Sequence, residues 1–269
     1  AEMQLVSLFS DGEVPGFIHL SVGQEAVPVG VMSALRDEDT IASNHRGHGH
    51  ALAKGVDLSA FFLEVMGKEQ GVCRGRGGSM HVADMSVGML GANGIVGAGI
   101  PLAVGSALSH QVKQTDSVAV VFFGDGAMAE GVLHESLNLA KLWKLPLLFV
   151  CENNGWSEFS PTRNQFVAKI GDLASAFGLP AQTVDGNHVA EVADAASGLV
   201  DAIRRGQGPQ VLECITHRVR GHFEGDPQKY RDDDGPASDP LEVCEGLLKQ
   251  ARVTAKTIAQ LRAEVAAEL

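Results

Sequence analysis

The 269-residue chain carries 21 Lys and Arg against 33 Asp and Glu, which gives a formal net charge of −12. A chain this acidic is a poor nonspecific binder of nucleic acid or of anionic membranes, so we expect neither as a partner. If it binds an anionic ligand, it must concentrate positive charge locally. With 45% hydrophobic and 20% charged residues, the composition is typical of an ordinary soluble globular protein.

The cysteines and the absence of targeting signals bear on location. Cys73, Cys151, Cys214 and Cys244 show no paired metal-type spacing, which favours free thiols in a reducing compartment. No signal peptide is visible, and no apolar run approaches the ~18 residues that span a bilayer. We therefore expect a cytoplasmic protein. The chain does not open on methionine, which leaves open whether residues precede Ala1.

The first third of the chain is rich in small residues and glycine. A helix is predicted over residues 23–35, followed by a His- and Gly-rich loop over 44–50 and a helix over 58–66. A glycine-dense segment spans 71–78. A second glycine cluster over 91–99 opens a small-residue helix over 100–108. Glycines at the mouth of a helix indicate close backbone approach to a ligand or to another chain.

The middle of the chain alternates between strands and helices. Residues 117–123 form a valine-rich apolar run, typical of a strand buried on both faces, and a helical pattern follows over 127–143. A second buried strand is predicted over 146–150, and residues 173–177, 189–204 and 209–215 continue the alternation. This order predicts an α/β fold with a mainly parallel sheet flanked by helices on both faces.

The C-terminal part is a polar loop followed by helices. The loop covers residues 217–236, and a helical pair starts at about residue 240. Thr254 is a plausible N-cap of the last helix, which has Ile258, Leu261 and Val265 at helical spacing. No repeat or long linker divides the sequence, so we expect one domain over residues 1–269.

Two polar side chains follow the two central strands. Asp125 comes just after the first strand and Asn154 just after the second, about one strand–helix–strand unit apart. If the strands are neighbours, a carboxylate and an amide oxygen lie within reach of one ion. These ligands suit Mg²⁺ or Ca²⁺, and phosphates usually complete such a site. The free N–H groups at the start of the helix after Gly126 favour the same anion.

Two other interpretations of this turn remain. Gly124, Gly126 and Ala129 fit the dinucleotide-binding fingerprint, with Glu152 as a possible ribose contact, which would make the protein a nicotinamide-dependent dehydrogenase. Asp125 counts against this interpretation, because a carboxylate would repel a pyrophosphate that is bound without metal. Glu152 also lies further along than the usual ~20 residues. Alternatively, the polar side chains after the two strands simply belong to turns.

A family resemblance rests on several blocks in a fixed order. Gly124-Asp125-Gly126, followed after a strand by Asn153-Asn154, resembles the thiamine diphosphate signature. The similarity extends from residue 19 to residue 230, with matching blocks at 45–49, 75–81, 91–101, 142–154 and 220–227. The sequence resembles α subunits of the thiamine-dependent component of pyruvate, branched-chain 2-oxo acid and acetoin dehydrogenase complexes. It implies a thiamine-diphosphate-binding fold with Mg²⁺.

The resemblance implies a role for each matching position. Asp125 and Asn154 match the magnesium ligands, and the backbone carbonyl of Trp156, where relatives usually have Tyr, completes the metal shell. The other matching positions fall at the diphosphate, at the aminopyrimidine ring and near the reacting carbon. They are the backbone of Gly124, Gly126 and Ala127 and the side chains of Arg46 and Arg218 for the diphosphate, the backbone of Gly94 and Val96 for the aminopyrimidine, His48 and His222 near the reacting carbon, and His45 in the same block as Arg46.

Some positions depart from the family or allow a different metal. Ala129 stands where many relatives have Asn, so a polar contact there is doubtful. Phe223 stands where mitochondrial relatives have a phosphorylatable serine, so control by phosphorylation is not expected there. His45, His48 and His50 could together suggest zinc, but no cysteine or carboxylate lies nearby in sequence to complete the site.

The resemblance also implies the reaction. The cofactor would cleave acetoin or a 2-oxo acid, with His222 as acid/base, and the acyl fragment would pass to the lipoyl group of an acyltransferase partner. The glutamate that activates the cofactor would come from a β chain, within an α₂β₂ assembly. The stretch over residues 221–227 is more similar to acetoin dehydrogenase α chains than to pyruvate or branched-chain ones, but the sequence does not decide the substrate.

Overall fold

A computed structural model describes residues 1–231 and 238–269, so residues 232–236 of the predicted polar loop lie outside the described residues. Six strands form one parallel sheet in the order β2-β1-β3-β4-β8-β7, and a small antiparallel hairpin pairs β5 with β6. The strands are β1 (Thr40–Ala42), β2 (Met89–Gly91), β3 (Ala119–Gly124), β4 (Leu147–Asn153), β5 (Trp156–Ser157), β6 (Ser160–Pro161), β7 (Ala181–Asp185) and β8 (Gln210–Ile215).

Ten α-helices connect and cover these strands in the described part of the chain. A π-helical turn, Ile203–Gln207, extends the eighth helix. The helices are α1 (Glu2–Ser10), α2 (Ala26–Met32), α3 (His48–Lys54), α4 (Leu58–Val65), α5 (Gly99–Lys113), α6 (Gly131–Trp143), α7 (Ile170–Ala176), α8 (Val189–Ala202), α9 (Pro240–Gln250) and α10 (Ala255–Glu268).

The sheet is buried on both faces, as predicted. Along β3, Val120 and Phe122 point into one core, which includes residues of α2, α3, α4 and α8. Val121 and Phe123 alternate with them and point into a second core built with α5, α6 and α7. Because side chains alternate across a strand, a continuous apolar run serves both cores. The predicted α/β fold with helices on both faces is therefore confirmed.

The two predicted central strands are direct neighbours. β3 pairs in parallel with β4, with Gly124 opposite Glu152. The residues that follow these strands therefore leave the same edge of the sheet side by side. The interpretation of Asp125 and Asn154 as ligands of one ion required that the two strands be neighbours, and this register meets that condition.

The helix predicted after Gly126 starts later than expected. A 3₁₀ turn, Asp125–Ala129, follows β3 directly, Glu130 is extended with φ −81° and ψ 129°, and α6 begins only at Gly131. The free N–H groups nearest the strand end thus belong to the 3₁₀ turn and not to the first turn of a long helix. The expectation of a helix start at this point was wrong.

The C-terminal helices agree with the sequence pattern at one end. Thr254 caps α10 by accepting a hydrogen bond from the N–H of Thr257. Ile258 is buried, whereas Leu261 and Val265 are exposed, so only part of the predicted apolar face packs inward. No helix among the described residues is long and apolar enough to cross a bilayer. All four cysteines are free.

Candidate active site

A cavity of about 290 Å³ opens beyond the carboxyl ends of β3 and β4. This is where ligands bind in open parallel sheets. The cavity brings together every predicted site residue except His48. Those lining it are His45, Arg46, Gly94, Val96, Gly124, Asp125, Gly126, Ala127, Asn154, Trp156, Arg218 and His222.

Asp125 lines this cavity and keeps one carboxylate oxygen without a hydrogen-bond partner. The side chain is buried, and the hydroxyl of Thr162 donates a hydrogen bond to Oδ2. Oδ1 is buried and makes no hydrogen bond. Burial raises the pKa of Asp125 to about 6, and the Thr162 hydroxyl and nearby backbone amides offset this only in part. A bound cation would satisfy Oδ1 and favour the ionised form.

Asn154 is fixed beside Asp125 by its own hydrogen bonds. Its Nδ2 donates to Oε1 of Gln24 at 3.0 Å, which orients Oδ1 in the opposite direction. Oδ1 accepts the N–H of Trp156 at 3.0 Å and keeps a second lone pair. The Asp125 carboxylate and the Asn154 amide oxygen form an oxygen-donor set that suits a hard cation.

The 3₁₀ turn after β3 forms the cavity wall next to Asp125. At Gly126, a Cβ atom would lie 2.6 Å from Oγ of Ser157, so the backbone fits there only without a side chain. Ser157 thus packs directly against the backbone of the turn, and both Gly126 and Ala127 line the cavity.

Two buried guanidinium groups supply the positive charge. Arg46 donates to the backbone carbonyls of Leu20 (2.7 Å) and His222 (2.8 Å), and Arg218 donates to the hydroxyl of Tyr230 (2.8 Å). Neither arginine forms an ion pair within the described residues. Nε of Arg218 is buried without a hydrogen-bond partner. Buried cations without carboxylate partners favour a bound anion.

Burial makes the charged form of both guanidinium groups less favourable. It lowers the pKa of Arg46 to about 9, with the nearby Arg218 as the next cause. Burial also lowers the pKa of Arg218. An anion bound between them would relieve their mutual repulsion. The site thus combines a free carboxylate oxygen with two unneutralised cations, which is the complement of a metal-bound polyanion.

Three histidines meet at one side of the cavity. The ligand nitrogens of His19, His45 and His222 lie within 4.8 Å of one another. Burial, followed by the neighbouring Arg46, lowers the pKa of His19 to about 3 and that of His222 to about 4. Burial also lowers the pKa of His45 well below its usual value. Uncharged imidazoles can accept a proton from a reacting molecule.

His48 and His50 lie outside the histidine group at the cavity. His48 contacts Glu2 through Nδ1 at 3.0 Å and Ser79 through Nε2 at 2.8 Å, and it does not line the cavity. His50 contacts Glu152 at 3.1 Å. The zinc arrangement of His45, His48 and His50 therefore does not form, and His48 is not positioned to touch a molecule in the cavity.

The dinucleotide interpretation gains no support from Glu152. Its Oε2 accepts a hydrogen bond from Asn44 at 2.9 Å, and its Oε1 lies 3.1 Å from a ring nitrogen of His50. Both carboxylate oxygens are thus engaged by the protein, which leaves little capacity to bind a ribose.

Sequence reasoning missed four residues of the site. His19 and Gln24 lie where the family similarity begins but were not assigned a role, and Asn44 directly precedes the predicted His45. Thr162 could not be found from sequence because it reaches Asp125 across 37 residues. All four become evident only when the loops beyond the strands are brought together.

A sequence profile of the family described as dehydrogenase E1 component matches residues 1–268 of the chain. The α subunit of acetoin:2,6-dichlorophenolindophenol oxidoreductase from Bacillus subtilis is 51% identical over 234 residues, covering 87% of this chain and 70% of the relative. Its counterpart from Cupriavidus necator is 48% identical over 255 residues (92% and 76%). The pyruvate dehydrogenase E1 component α subunit from Zymomonas mobilis is 42% identical over 226 residues (83% and 64%).

Proposed function

The chain belongs to the dehydrogenase E1 component family, and we propose that it is the α subunit of a thiamine-diphosphate-dependent dehydrogenase component that acts on acetoin. The observation that carries the proposal is the pairing of the free Oδ1 of Asp125 with the buried Arg46 and Arg218 in one cavity. The two relatives with acetoin in their names are more similar to this chain, at 51% and 48% identity, than the pyruvate relative at 42%. This difference supports acetoin over pyruvate.

The described residues fit a magnesium-bound diphosphate. Oδ1 of Asp125 and the amide oxygen of Asn154 would ligate Mg²⁺, and the backbone carbonyl of Trp156 would complete the protein's share. The orphaned carboxylate oxygen supports this assignment, because a buried acceptor without a partner is costly unless a ligand satisfies it. Water and diphosphate oxygens would fill the remaining positions.

The diphosphate would lie between backbone and arginines. The N–H groups of Gly126 and Ala127 would donate to it, and the guanidinium groups of Arg46 and Arg218 would neutralise it. At the other end of the cavity, the backbone of Gly94 would contact the aminopyrimidine, together with that of Val96. All of these residues line the same cavity.

When bound, thiamine diphosphate supplies the electron sink for breaking a carbon–carbon bond. The chain's own contribution is orientation and proton transfer. Burial and the neighbouring Arg46 lower the pKa of His19 to about 3 and that of His222 to about 4, so both rings are uncharged at neutral pH. A diphosphate bound beside Arg46 would offset its charge and raise both pKa values, which would make a ring nitrogen of either a better acceptor for the proton of the substrate hydroxyl. Asp226 accepts the N–H of His222 at 2.7 Å and fixes its backbone.

The partners follow from the same proposal. A β subunit would complete the cavity within an α₂β₂ assembly, since the relatives are α subunits by name. A lipoyl-bearing acyltransferase component would accept the acyl fragment. The four free cysteines agree with a reducing compartment, for which we propose the cytoplasm.

The proposal is tested by activity with the β chain present. We expect the co-expressed chains to reduce 2,6-dichlorophenolindophenol with acetoin, and to require both Mg²⁺ and thiamine diphosphate. Pyruvate and a branched-chain 2-oxo acid serve as competing substrates in the same assay. Preference for a 2-oxo acid would overturn the choice of acetoin as the substrate but would leave the cofactor assignment in place. Activity that is unaffected by removal of thiamine diphosphate would overturn the cofactor assignment.

A further inference from the structure

A buried carboxylate organises the glycine-dense segment that precedes the cavity wall. Glu64 on α4 is fully buried. Its Oε2 accepts the N–H groups of Cys73 (2.7 Å) and Gly75 (2.8 Å), and its Oε1 accepts those of Gly77 (2.6 Å) and Gly78 (3.1 Å). No cation pairs with Glu64 among the described ion pairs.

The four backbone donors keep this carboxylate charged. Burial alone would raise the pKa of Glu64, but the hydrogen bonds from the segment outweigh burial and lower it. A carboxylate that accepts several backbone N–H groups is stable in its ionised form. The segment from Cys73 to Gly78 is therefore wrapped around a fixed negative charge and not around an external ligand.

The glycines of the segment are explained by this close wrapping. A Cβ atom on Gly71 would lie 2.5 Å from Oε2 of Glu64. A Cβ atom on Gly77 would lie 2.5 Å from the carbonyl oxygen of His81 and 3.2 Å from Oε1 of Glu64. The glycine density of the segment 71–78 is thus explained at these positions by contacts within the chain.

The segment leads directly into the wall of the cavity. Met80 lines the cavity, two residues after the last donor to Glu64. Nε2 of His81 accepts the N–H of Gly94 at 3.4 Å, and a Cβ atom on Gly94 would lie 3.5 Å from the His81 ring. Gly94 itself lines the cavity. A chain of contacts therefore runs from Glu64, which does not line the cavity, to the backbone of Gly94, which does.

We propose that Glu64 is a positioning residue for the aminopyrimidine end of the cofactor, and that it acts through the segment 73–81 on Met80 and Gly94. The inference rests on the proposed function, since it takes thiamine diphosphate as the ligand. It goes beyond that function by assigning the two parts of the cofactor to residues with different structural support. Asp125 lies on the 3₁₀ turn after β3, and Arg46 and Arg218 lie in the loops before α3 and after β8, whereas the position of Gly94 depends on a carboxylate outside the cavity.

Two probes distinguish the two ends. Inorganic diphosphate with Mg²⁺ reports on the Asp125 and arginine end, whereas thiamine diphosphate with Mg²⁺ reports on both. We measure both dissociation constants by titration calorimetry on the enzyme assembled with its β chain. Glu64→Gln keeps the size of the side chain but replaces one acceptor oxygen by a donor. Glu69→Gln, an exposed glutamate five residues further on, is the matched control.

The expected result is a selective loss. In Glu64→Gln, the dissociation constant of thiamine diphosphate should rise about tenfold or more, which corresponds to about 1.4 kcal/mol of lost binding, while that of diphosphate stays unchanged. Glu69→Gln should change neither constant. His81→Ala, a substitution at an exposed side chain, should repeat the selective loss if Glu64→Gln folds poorly.

Two outcomes would overturn the inference. In the first, thiamine diphosphate binds the Glu64 and His81 variants as tightly as wild type. In the second, both ligands weaken equally in the folded variants, which would assign Glu64 a general structural role. A different result would count against the proposed function: wild type that binds thiamine diphosphate no more tightly than inorganic diphosphate. The failure of the inference and the failure of the proposed function can therefore be distinguished.

Discussion

The hydroxyl of Thr162 donates a hydrogen bond to Oδ2 of Asp125, and Oδ1 of the same carboxylate is buried without a partner. Thr162 thereby orients the carboxylate while leaving its other oxygen without a partner. Burial raises the pKa of Asp125 to about 6, because the charged form of a buried carboxylate with one unpartnered oxygen is costly. A divalent cation bound at this oxygen would stabilise the charged form.

The first prediction concerns this oxygen. Asp125→Asn keeps the shape of the side chain but removes the charge that would hold Mg²⁺. We expect thiamine diphosphate binding to weaken at least about 100-fold, the upper range for loss of a partner around a metal site. Titration calorimetry with and without EDTA provides the measurement. Asp116→Asn, at an exposed aspartate, serves as the control. Cofactor binding that is indifferent to EDTA in the wild-type enzyme would refute the metal assignment.

The sequence predicted the central strands because their apolar runs serve two cores at once. β3 and β4 were recognisable for this reason. β1 and β2 are only three residues long, and β7 is mostly exposed. None of these three strands therefore offers an apolar run that the sequence could reveal. The break at Glu130 also had no signal, because the preceding Ala127 and Ala129 favour a helix and the tertiary contacts of the turn override that preference.

The proximity of Asp125 and Asn154 could be predicted for a similar physical reason. Asp125 and Asn154 follow neighbouring parallel strands, so their proximity depends only on local patterns. The position of His48 outside the cavity could not be predicted, because its partners, Glu2 and Ser79, are distant in sequence and occupy both ring nitrogens. The role of Glu64 could not be read from sequence either, since its backbone donors carry no residue-specific pattern.

The second prediction concerns the charge of the cavity histidines. Burial and the neighbouring Arg46 lower the pKa of His19 to about 3 and that of His222 to about 4, each from 6.5, whereas Asp226 acts in the opposite direction on His222. Both rings should therefore remain neutral at pH 5 in the folded protein. NMR of protein with labelled histidines, with His19→Gln and His222→Gln for assignment, provides the measurement.

The same depressed pKa values set the direction of a pH effect on stability. Unfolded histidines bind protons at about pH 6.5, before the folded ones do. Their contribution is thus fully present above about pH 6.5 and is lost as the pH falls through the folded pKa, about 4 for His222. Imidazolium signals from either residue at pH 6 in the folded protein would contradict both expectations.

The third prediction concerns Asp226, which holds the loop that carries His222. Its Oδ2 accepts the His222 N–H at 2.7 Å and the Tyr230 hydroxyl at 2.6 Å. In Asp226→Asn, we expect the His222 amide to exchange roughly tenfold faster or more, as follows when a hydrogen bond to a charged group worth about 1.5–3 kcal/mol is weakened. Activity should fall with it. Hydrogen exchange and steady-state kinetics provide the two measurements.

Glu224 offers a matched control in the same loop. Its carboxylate pairs with Arg220 at 2.9 Å in a partly exposed position, where an ion pair contributes little. Glu224→Gln should therefore leave the exchange of His222 unchanged. Equal exchange rates in wild type and Asp226→Asn would show that other contacts hold the loop.

The last prediction is that this chain alone, although folded, does not turn over substrate. The cofactor becomes reactive only when a carboxylate is held against its aminopyrimidine ring, and the family resemblance places that glutamate on the β chain. Four glutamates of this chain were candidates for that role from the sequence: Glu25, Glu130, Glu135 and Glu152. Of these four, only Glu152 lines the cavity.

Glu152 is poorly placed to act as the activating acid. It lies directly beyond Cys151 in β4, at the diphosphate side of the cavity, and its two oxygens contact His50 and Asn44. We therefore expect no thiamine-dependent reduction of an artificial electron acceptor by the purified chain, and full activity once the β chain is added. Both samples are assayed at equal concentration with acetoin, Mg²⁺ and thiamine diphosphate. The opposite result would be activity of the chain alone that is lost in Glu152→Gln. It would show that the activating acid is on this chain and that the roles proposed for the two subunits are wrong.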